Sequence, residues 1–340
     1  MFTELSRFRA VCVVGAVWGC LGSAAAAATI ETVFVGHPGN AADSTGFGAV
    51  NYSYRMGKYE VTAGQYTEFL NAVAGVDTFS LYNTQMGRTD FISSGITRSG
   101  AGTLISPYSY SVDPDFVNRP VNFISFWDAA RFANWLHNGQ PTGPQDATTT
   151  EDGAYTLTPD AVANNTVTRN PGAIWAIPTN DEWYKAAYYD SSTGDYFDYP
   201  TSSDGLPGRD LDDVSGNNAN YGTPIPIDSP FYTTVVGEFQ NSASPYGTFD
   251  QGGNVAEWTE TFAGLPSERR VRGGAWGGSA AVMLAVSNNV GAVADHTGTT
   301  GFRVMTVVPE PGSSALLIVG AAAMLPVLVR RAAQRRMHSR

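Results

Sequence analysis

Two carboxylates bracket a short glycine-rich turn at residues 250–257, whose sequence is DQGGNVAE. Proteins bind calcium through oxygen ligands that combine carboxylates, amide side chains and backbone carbonyls. A tight turn between Asp250 and Glu257 would let backbone carbonyls face inward between the two side chains. The segment therefore has the composition of a calcium loop, and a hydrogen-bonded turn without metal is the alternative.

The part of the chain that is predicted to be exported contains no cysteine. Both cysteines, Cys12 and Cys20, lie in residues 1–28, where Arg7 and Arg9 precede an apolar run and a tract of alanines. This order is typical of a secretory signal peptide that is removed on export. The mature chain is then unable to form a disulfide, a thiolate metal site or a cysteine nucleophile.

The spacing of the other residue types predicts no catalytic constellation. Between residues 29 and 308 the histidines are His37, His137 and His296, and they are not paired on one element as a facial metal triad would require. No serine lies in a nucleophile elbow. A glycosidase-type pair of carboxylates stays open, since such pairs are set in space, and we therefore name no catalytic residue.

Residues 29–308 are strongly acidic. Of the 20 Lys and Arg residues two precede this range and five follow it, and of the 31 Asp and Glu residues only Glu4 and Glu310 lie outside, which leaves 13 basic and 29 acidic residues and a formal charge of −16. Such a charge disfavours nucleic acid as a partner. It suits divalent cations and neutral polar ligands, and solubility outside the cell is the alternative explanation.

A second targeting pattern occupies residues 309–340. Pro309, Glu310 and Pro311 precede an uncharged run at residues 313–329, which is at the short limit for a membrane span and is followed by a basic tail. Arginines in this position predict that the tail stays in the cytoplasm. The order resembles the PEP-CTERM sorting signal of Gram-negative bacteria. That resemblance implies recognition by an exosortase, a transient membrane anchor, and delivery to the cell surface or the exopolysaccharide matrix.

Three capping boxes predict three helix starts, because each pairs a hydroxyl at the N-cap with an acceptor side chain three residues later. They are Thr62 with Gln65, Ser125 with Asp128, and Thr179 with Glu182. An apolar face follows each start. The second helix is predicted to end near His137, before Gly139.

Short strands and long loops make up the rest of the predicted domain. Strands are favoured at residues 53–59, 174–177, 270–272 and 302–307. Loop-like composition without periodicity is found at residues 75–118, 140–171 and 191–230. With no internal repeat and no linker, residues 29–308 are predicted to form one loop-rich α+β domain with short helices and short antiparallel strands.

Six sequence blocks follow one another between about residues 50 and 307. They are MGKYEVT (56–62), RPVNFISFWDAA (119–130), IPTNDEW (177–183), GNVAEW (253–258), RGGAW (272–276) and GFRV (301–304). In this order they resemble the formylglycine-generating enzyme family, also called sulfatase-modifying factors. The resemblance implies a single loop-rich α+β domain that is distantly similar to C-type lectins.

The family's chemistry depends on two residues that this chain lacks. Family enzymes use O2 and a copper(I) ion, held by two cysteines just after the RGG block, to oxidise a cysteine of a client sulfatase to formylglycine. The matching positions here are Gly278 and Met283. Copper(I) needs soft ligands and non-heme iron needs a pair of histidines, so we expect neither copper nor iron. Arg272 and Trp276 are then expected beside the former cleft, where Trp276 either packs in the core or stacks on a sugar ring.

The resemblance also implies two structural calcium sites. In the first, carried over by position, Asp250 and Glu257 supply side chains while Gly253 and Val255 supply carbonyls. The second set consists of the side chains of Asn220 and Asp228 and the carbonyls of Tyr221 and Pro230. Calcium at these sites would order loops that have no disulfides to hold them.

Two functional classes follow from the sequence. The first is an exported, non-catalytic binding or structural module of the cell surface or exopolysaccharide matrix, with a carbohydrate or a matrix polymer as its ligand. The alternative is a metal-dependent oxidoreductase of the same superfamily, either sulfatase-modifying or of the non-heme iron type. The absence of thiols and of histidine pairs favours the first class.

Overall fold

The computed structural model describes residues 27–212, 214–222, 225–287 and 289–308. Its helices are α1 (Ala63–Val73), α2 (Phe126–His137), α3 (Pro159–Ala163) and α4 (Asn180–Tyr188). Helices α1, α2 and α4 begin at the three predicted capping boxes, and in each box both reciprocal hydrogen bonds are formed. The predicted starts of these helices, and the end of α2 at His137, are therefore confirmed.

The two predicted targeting segments lie almost entirely outside the described residues. Only Ala27 and Ala28 of the predicted signal peptide are described, and the whole of residues 309–340 lies beyond the described part. Within the described ranges, no helix is long and apolar enough to cross a membrane. That finding does not extend to the predicted span at residues 313–329.

The described strands form two four-stranded sheets and one hairpin. The strands are β1 (Thr32–Val35), β2 (Tyr54–Gly57), β3 (Ile96–Ser99), β4 (Ser109–Val112), β5 (Trp175–Ala176), β6 (Ala256–Phe262), β7 (Glu268–Arg272), β8 (Asn289–Ala292), β9 (Thr300–Gly301) and β10 (Met305–Val307). The first sheet has the order β1-β2-β10-β5 and the second β8-β7-β6-β9, while β3 pairs with β4. All neighbours are antiparallel except β6 and β9, which run parallel.

An aromatic core lies between α1 and α2. Tyr66 and Phe69 of α1 meet Phe132 and Trp135 of α2, with ring centroids 5.3 to 6.1 Å apart. All four side chains are buried. Because aromatic side chains bury a large apolar area each, such a cluster can stabilise a domain that is mostly loop.

Two of the three loop predictions are wrong in part. Residues 75–118 contain the β3–β4 hairpin, and residues 140–171 contain α3. These elements span only four or five residues each, which is too short for a hydrophobic period to become visible in the sequence. Residues 191–230 hold no helix or strand among their described positions, as predicted. The four predicted strands overlap β2, β5, β7 and β10, and the α+β class is confirmed.

Candidate functional site

The turn at residues 250–257 leads into β6 and uses left-handed backbone at three positions. Asp250, Gly253 and Asn254 have φ angles of 58°, 85° and 55°. A Cβ on Gly253 would lie 2.2 Å from the carbonyl oxygen of Asn220. Only glycine permits both this φ and this close approach of backbone. The turn is therefore built to contact the segment that begins at Asn220.

Glu257, the last residue of this turn, is bound by an arginine from the last family block. Its Oε2 lies 2.5 Å from Nε of Arg303 and its Oε1 lies 2.6 Å from Nη2. The indole nitrogen of Trp183 also donates to Oε2, at 2.7 Å. Glu257 and Arg303 are both fully buried. Such bidentate, charge-assisted contacts are the strong form of the side-chain hydrogen bond.

Two further carboxylates lie near this ion pair. Glu60 accepts hydrogen bonds from the backbone N–H of Val255 at 3.2 Å and from Nδ2 of Asn254 at 3.1 Å. Burial, with repulsion from Asp250 and Glu257, raises the pKa of Glu60 well above its usual value. Burial likewise raises the pKa of Asp250 to about 6. Three carboxylates thus share one guanidinium, and protonation relieves part of the excess negative charge.

This arrangement bears on the calcium expected at the turn. Both acceptor positions of Glu257 Oε2 are taken, by Arg303 and by Trp183. Asp250 accepts a hydrogen bond at 2.6 Å from the N–H of Gly237. As arranged, these carboxylates do not fit calcium, and the calcium that the resemblance implies at this turn remains untested.

The second predicted calcium set is divided between two environments. Asn220 belongs to the turn itself: its carbonyl accepts from the N–H of Asn254 at 2.8 Å, and its Nδ2 donates to the carbonyl of Tyr232 at 2.9 Å. Asp228 instead forms an ion pair with Arg119 at 2.5 Å. Of these two residues, Asn220 therefore contacts the turn at residues 250–257, whereas Asp228 is paired with Arg119.

The remaining members of the second set face outward or toward other loops. The hydroxyl of Tyr221 donates to the carbonyl of Pro207. Pro230 is exposed and follows a cis peptide bond from Ser229. Calcium at this second set also stays a prediction.

The residues expected beside a cleft are mostly buried. Arg272 is 2% exposed, and its Nε donates to Oδ1 of Asn180 at 2.7 Å. Its guanidinium lies 5.1 Å from the ring centroids of both Phe47 and Tyr184, so the N-terminal segment of the domain covers it. Trp276 is half-buried, and its ring centroid lies 4.5 Å from that of Tyr232.

Of the two positions that match the copper-binding cysteines, one is buried and the other is half-buried. Met283 is 0% exposed and packs with Tyr199 and Ala219. A Cβ on Gly278 would lie 2.9 Å from Cγ2 of Val282. A side chain at position 278 would therefore require Val282 to move.

The three histidines of the domain lie apart, and each contacts a different residue. His37 is within 3.4 Å of the Tyr246 hydroxyl, and Nδ1 of His137 accepts from the N–H of Ile174 at 3.0 Å. His296 forms an ion pair with Asp128, its Nε2 lying 3.0 Å from Oδ2. A hydrogen bond from His296 to this carboxylate raises the histidine's pKa.

Sequence reasoning missed a second charged network, at the start of α4. Arg169 binds Glu182 at 2.8 Å and Glu260 at 3.0 Å. Tyr52 donates to Glu182 and Tyr155 to Glu260, both at 2.6 Å. The third capping box identified Glu182 as a helix-capping residue, but nothing local indicates its partners, which are up to 130 residues away. Arg169 lies in a stretch that composition marked only as loop.

The described residues form a single loop-rich α+β domain with a buried carboxylate–arginine centre. Residues 44–308 match the model of the sulfatase-modifying factor enzyme 1-like domain family. The chain belongs to this family. The resemblance drawn from the six blocks is thereby confirmed, whereas the PEP-CTERM sorting signal stays a prediction.

Three solved structures resemble the chain at low sequence identity. CarF has 21% identity and a TM-score of 0.51, over 82% of this chain and 99% of that one. Treponema denticola variable protein 1 has 19% identity and a TM-score of 0.47, over 83% and 94%. PvdO from Pseudomonas aeruginosa has 17% identity and a TM-score of 0.44, over 82% and 92%. The likeness to CarF supports the fold alone. No curated protein matches the chain significantly.

Proposed function

We propose that the protein is a non-catalytic binding or structural module built on the sulfatase-modifying factor fold. The observation that carries this proposal is the pair Gly278 and Met283 at the positions of the family's copper-binding cysteines. Glycine has no donor atom, and the thioether of Met283 is buried among apolar and aromatic side chains. Copper(I) requires soft ligands, so these residues do not fit the ion.

The placement of the cysteines and histidines supports the same proposal. The only cysteines, Cys12 and Cys20, precede the domain. His37, His137 and His296 each contact a different partner. A non-heme iron centre needs two histidines and a carboxylate on one face, and that arrangement is not found among the described residues.

Metal analysis of the purified protein tests the proposal. The protein is expressed in the presence of copper and iron, purified without chelator, and analysed by inductively coupled plasma mass spectrometry. We expect far less than one equivalent of either metal. A stoichiometric amount of copper or iron would favour the alternative of a metal-dependent oxidoreductase. This alternative would be strengthened if removing the metal with a chelator also abolished an oxidase activity or unfolded the protein.

The location of the module is part of the proposal. Its support is the ordered pattern in residues 309–340, where Pro309-Glu310-Pro311 precede an apolar run and a basic tail. An exosortase-type enzyme would recognise this segment during export and release the protein to the cell surface or matrix. Mass spectrometry of the extracellular protein should then show a chain without residues 330–340. An intact tail on every mature copy would argue for a plain membrane anchor instead.

A further inference from the structure

An open hollow of about 520 Å³ lies between the N-terminal segment of the domain and the start of α4. Its volume is within the range of about 300 to 1,000 Å³ that is usual for small-molecule pockets. Its lining consists of Gly39, Asn40, Ala49, Val50, Asn51, Tyr52, Thr179, Asp181 and Thr261. None of these residues belongs to the turn at residues 250–257, and none is Gly278 or Met283.

The walls of the hollow are fixed by hydrogen bonds between its two sides. Nδ2 of Asn40 donates to the carbonyl of Gly48 at 2.7 Å, and the N–H of Gly48 donates to Oδ1 of Asp181 at 3.0 Å. The hydroxyl of Tyr52 donates to Oε1 of Glu182 at 2.6 Å, and Glu182 is held by Arg169. The position of Tyr52 is thereby fixed before any ligand arrives, which lowers the entropy cost of binding.

Several polar groups of the hollow remain available to a ligand. Oδ2 of Asp181 and both amide atoms of Asn51 make no hydrogen bond to any described residue. The hydroxyls of Thr179 and Thr261 accept from backbone N–H groups, at 3.1 Å and 2.8 Å, and each keeps its own proton to donate. The hollow therefore presents both donors and acceptors.

An aromatic ring completes the lining. Tyr52 is 37% exposed although its hydroxyl is held by Glu182. A pyranose has an apolar face of C–H groups that can stack on the aromatic ring of Tyr52. Stacking removes both apolar surfaces from water. The hydroxyls of the sugar can meanwhile reach the carboxylate, amide and threonine groups around the ring.

Charge and composition disfavour metal ions, anions and mainly apolar ligands. Asp181 is the only carboxylate in the lining, and a hard metal ion requires more oxygen ligands than the hollow supplies. Asp181 and Glu182 lie in the first turn of α4, where their negative charge opposes an anion at the helix N-terminus. A mainly apolar ligand would leave the polar groups without partners.

We propose that this hollow binds a neutral sugar unit of a polysaccharide, with the ring stacked on Tyr52 and hydroxyls bound to Asp181 and Asn51. The proposal rests on the proposed binding function and specifies its ligand class. The metal analysis above does not depend on it, so either proposal can fail without the other.

Isothermal titration calorimetry of the intact chain with defined oligosaccharides tests this site. The probes are neutral hexasaccharides of glucose, mannose and galactose, with a hexasaccharide of guluronate as the anionic probe. We expect at least one neutral probe to bind and the anionic probe not to bind. Tyr52→Ala should weaken that binding at least tenfold, and Asp181→Asn at least threefold. Tyr52→Phe keeps the ring and loses only the bond to Glu182, so its affinity should stay within threefold.

A matched control shows whether the loss of an exposed aromatic ring elsewhere on the protein also weakens binding. Phe79 is 38% exposed, close to the exposure of Tyr52, and does not line the hollow. Phe79→Ala should leave the affinity unchanged, and melting curves of all variants check that each is folded. The proposal is overturned if no neutral probe binds, if only guluronate binds, or if Phe79→Ala weakens binding as much as Tyr52→Ala. Asp181→Asn keeps the ring in place, so it remains informative if Tyr52→Ala fails to fold.

Discussion

Arg303 and Glu257 form a bidentate ion pair in which both side chains are fully buried. Arg303 also donates at 2.9 Å to the backbone carbonyls of Gly57 and Phe249. The pair thus joins the end of β2, the start of β6 and the segment before β10. It links three of the six blocks by which the family is recognised.

Removing one partner of this pair should destabilise the domain strongly. Glu257→Gln would remove the carboxylate that binds the buried Arg303 guanidinium directly, and breaking a buried ion pair in this way typically costs about 3–5 kcal/mol. Glu31→Gln is the matched control, because Glu31 pairs with Lys58 on the surface, where an ion pair contributes about 1 kcal/mol or less. Urea unfolding of both variants gives the comparison. Equal losses of unfolding free energy would show that the buried pair has no special role.

Calcium should have little effect on the stability of the wild-type protein. Arg303 already neutralises Glu257, so melting curves in chelator and in millimolar calcium are expected to coincide. A calcium ion bound only by the folded state would contribute about 2.7 kcal/mol at a hundredfold excess over its dissociation constant, enough for a clear shift. If calcium raises the melting temperature of the wild type and Asp250→Asn loses that response, the family's calcium site forms here despite the ion pair.

A single methyl group at Gly253 should disrupt the same turn. Gly253→Ala would place a Cβ 2.2 Å from the Asn220 carbonyl oxygen on a backbone with φ of 85°. We expect a loss of about 2–3 kcal/mol in unfolding free energy. Gly264 is the control, because a Cβ there would meet nothing within 4 Å. A loss for Gly253→Ala no larger than that for Gly264→Ala would contradict the described contact with Asn220.

The sequence predicted what is local and missed what is distant. Each capping box joins residues three positions apart, so Thr62 with Gln65 could be identified without a structure. Arg303 and Glu257 are 46 residues apart, and the turn composition alone could not show that the carboxylate is held by a guanidinium. Likewise, the contact between the Phe47 ring and the Arg272 guanidinium joins segments that are distant in the sequence, so the sequence did not indicate it. The hollow beside Tyr52 also needed the packing of the N-terminal segment on α4.

The ion pair between His296 and Asp128 should make stability depend on pH near neutrality. The hydrogen bond to Asp128 raises the pKa of His296 above its ordinary value of 6.5. Because the folded state binds this proton more tightly, the contribution is fully present below the unfolded pKa and is lost as the pH rises through the folded pKa. Burial raises the pKa of Asp250 to about 6, in the same region, so the comparison is with His296→Gln. The stability difference between wild type and variant should shrink from pH 5.5 to pH 8.5, and a constant difference would rule out this role.

Loss of the family's oxidase chemistry is the central claim, and mass spectrometry of a substrate peptide tests it most directly. The purified protein is incubated with a cysteine-containing sulfatase peptide, Cu(I) and O2, alongside an active family enzyme as the positive control. Because neither Gly278 nor Met283 can supply a thiolate, we predict that the peptide keeps its cysteine while the control converts it to the aldehyde. Formation of formylglycine by the wild-type protein would contradict this account.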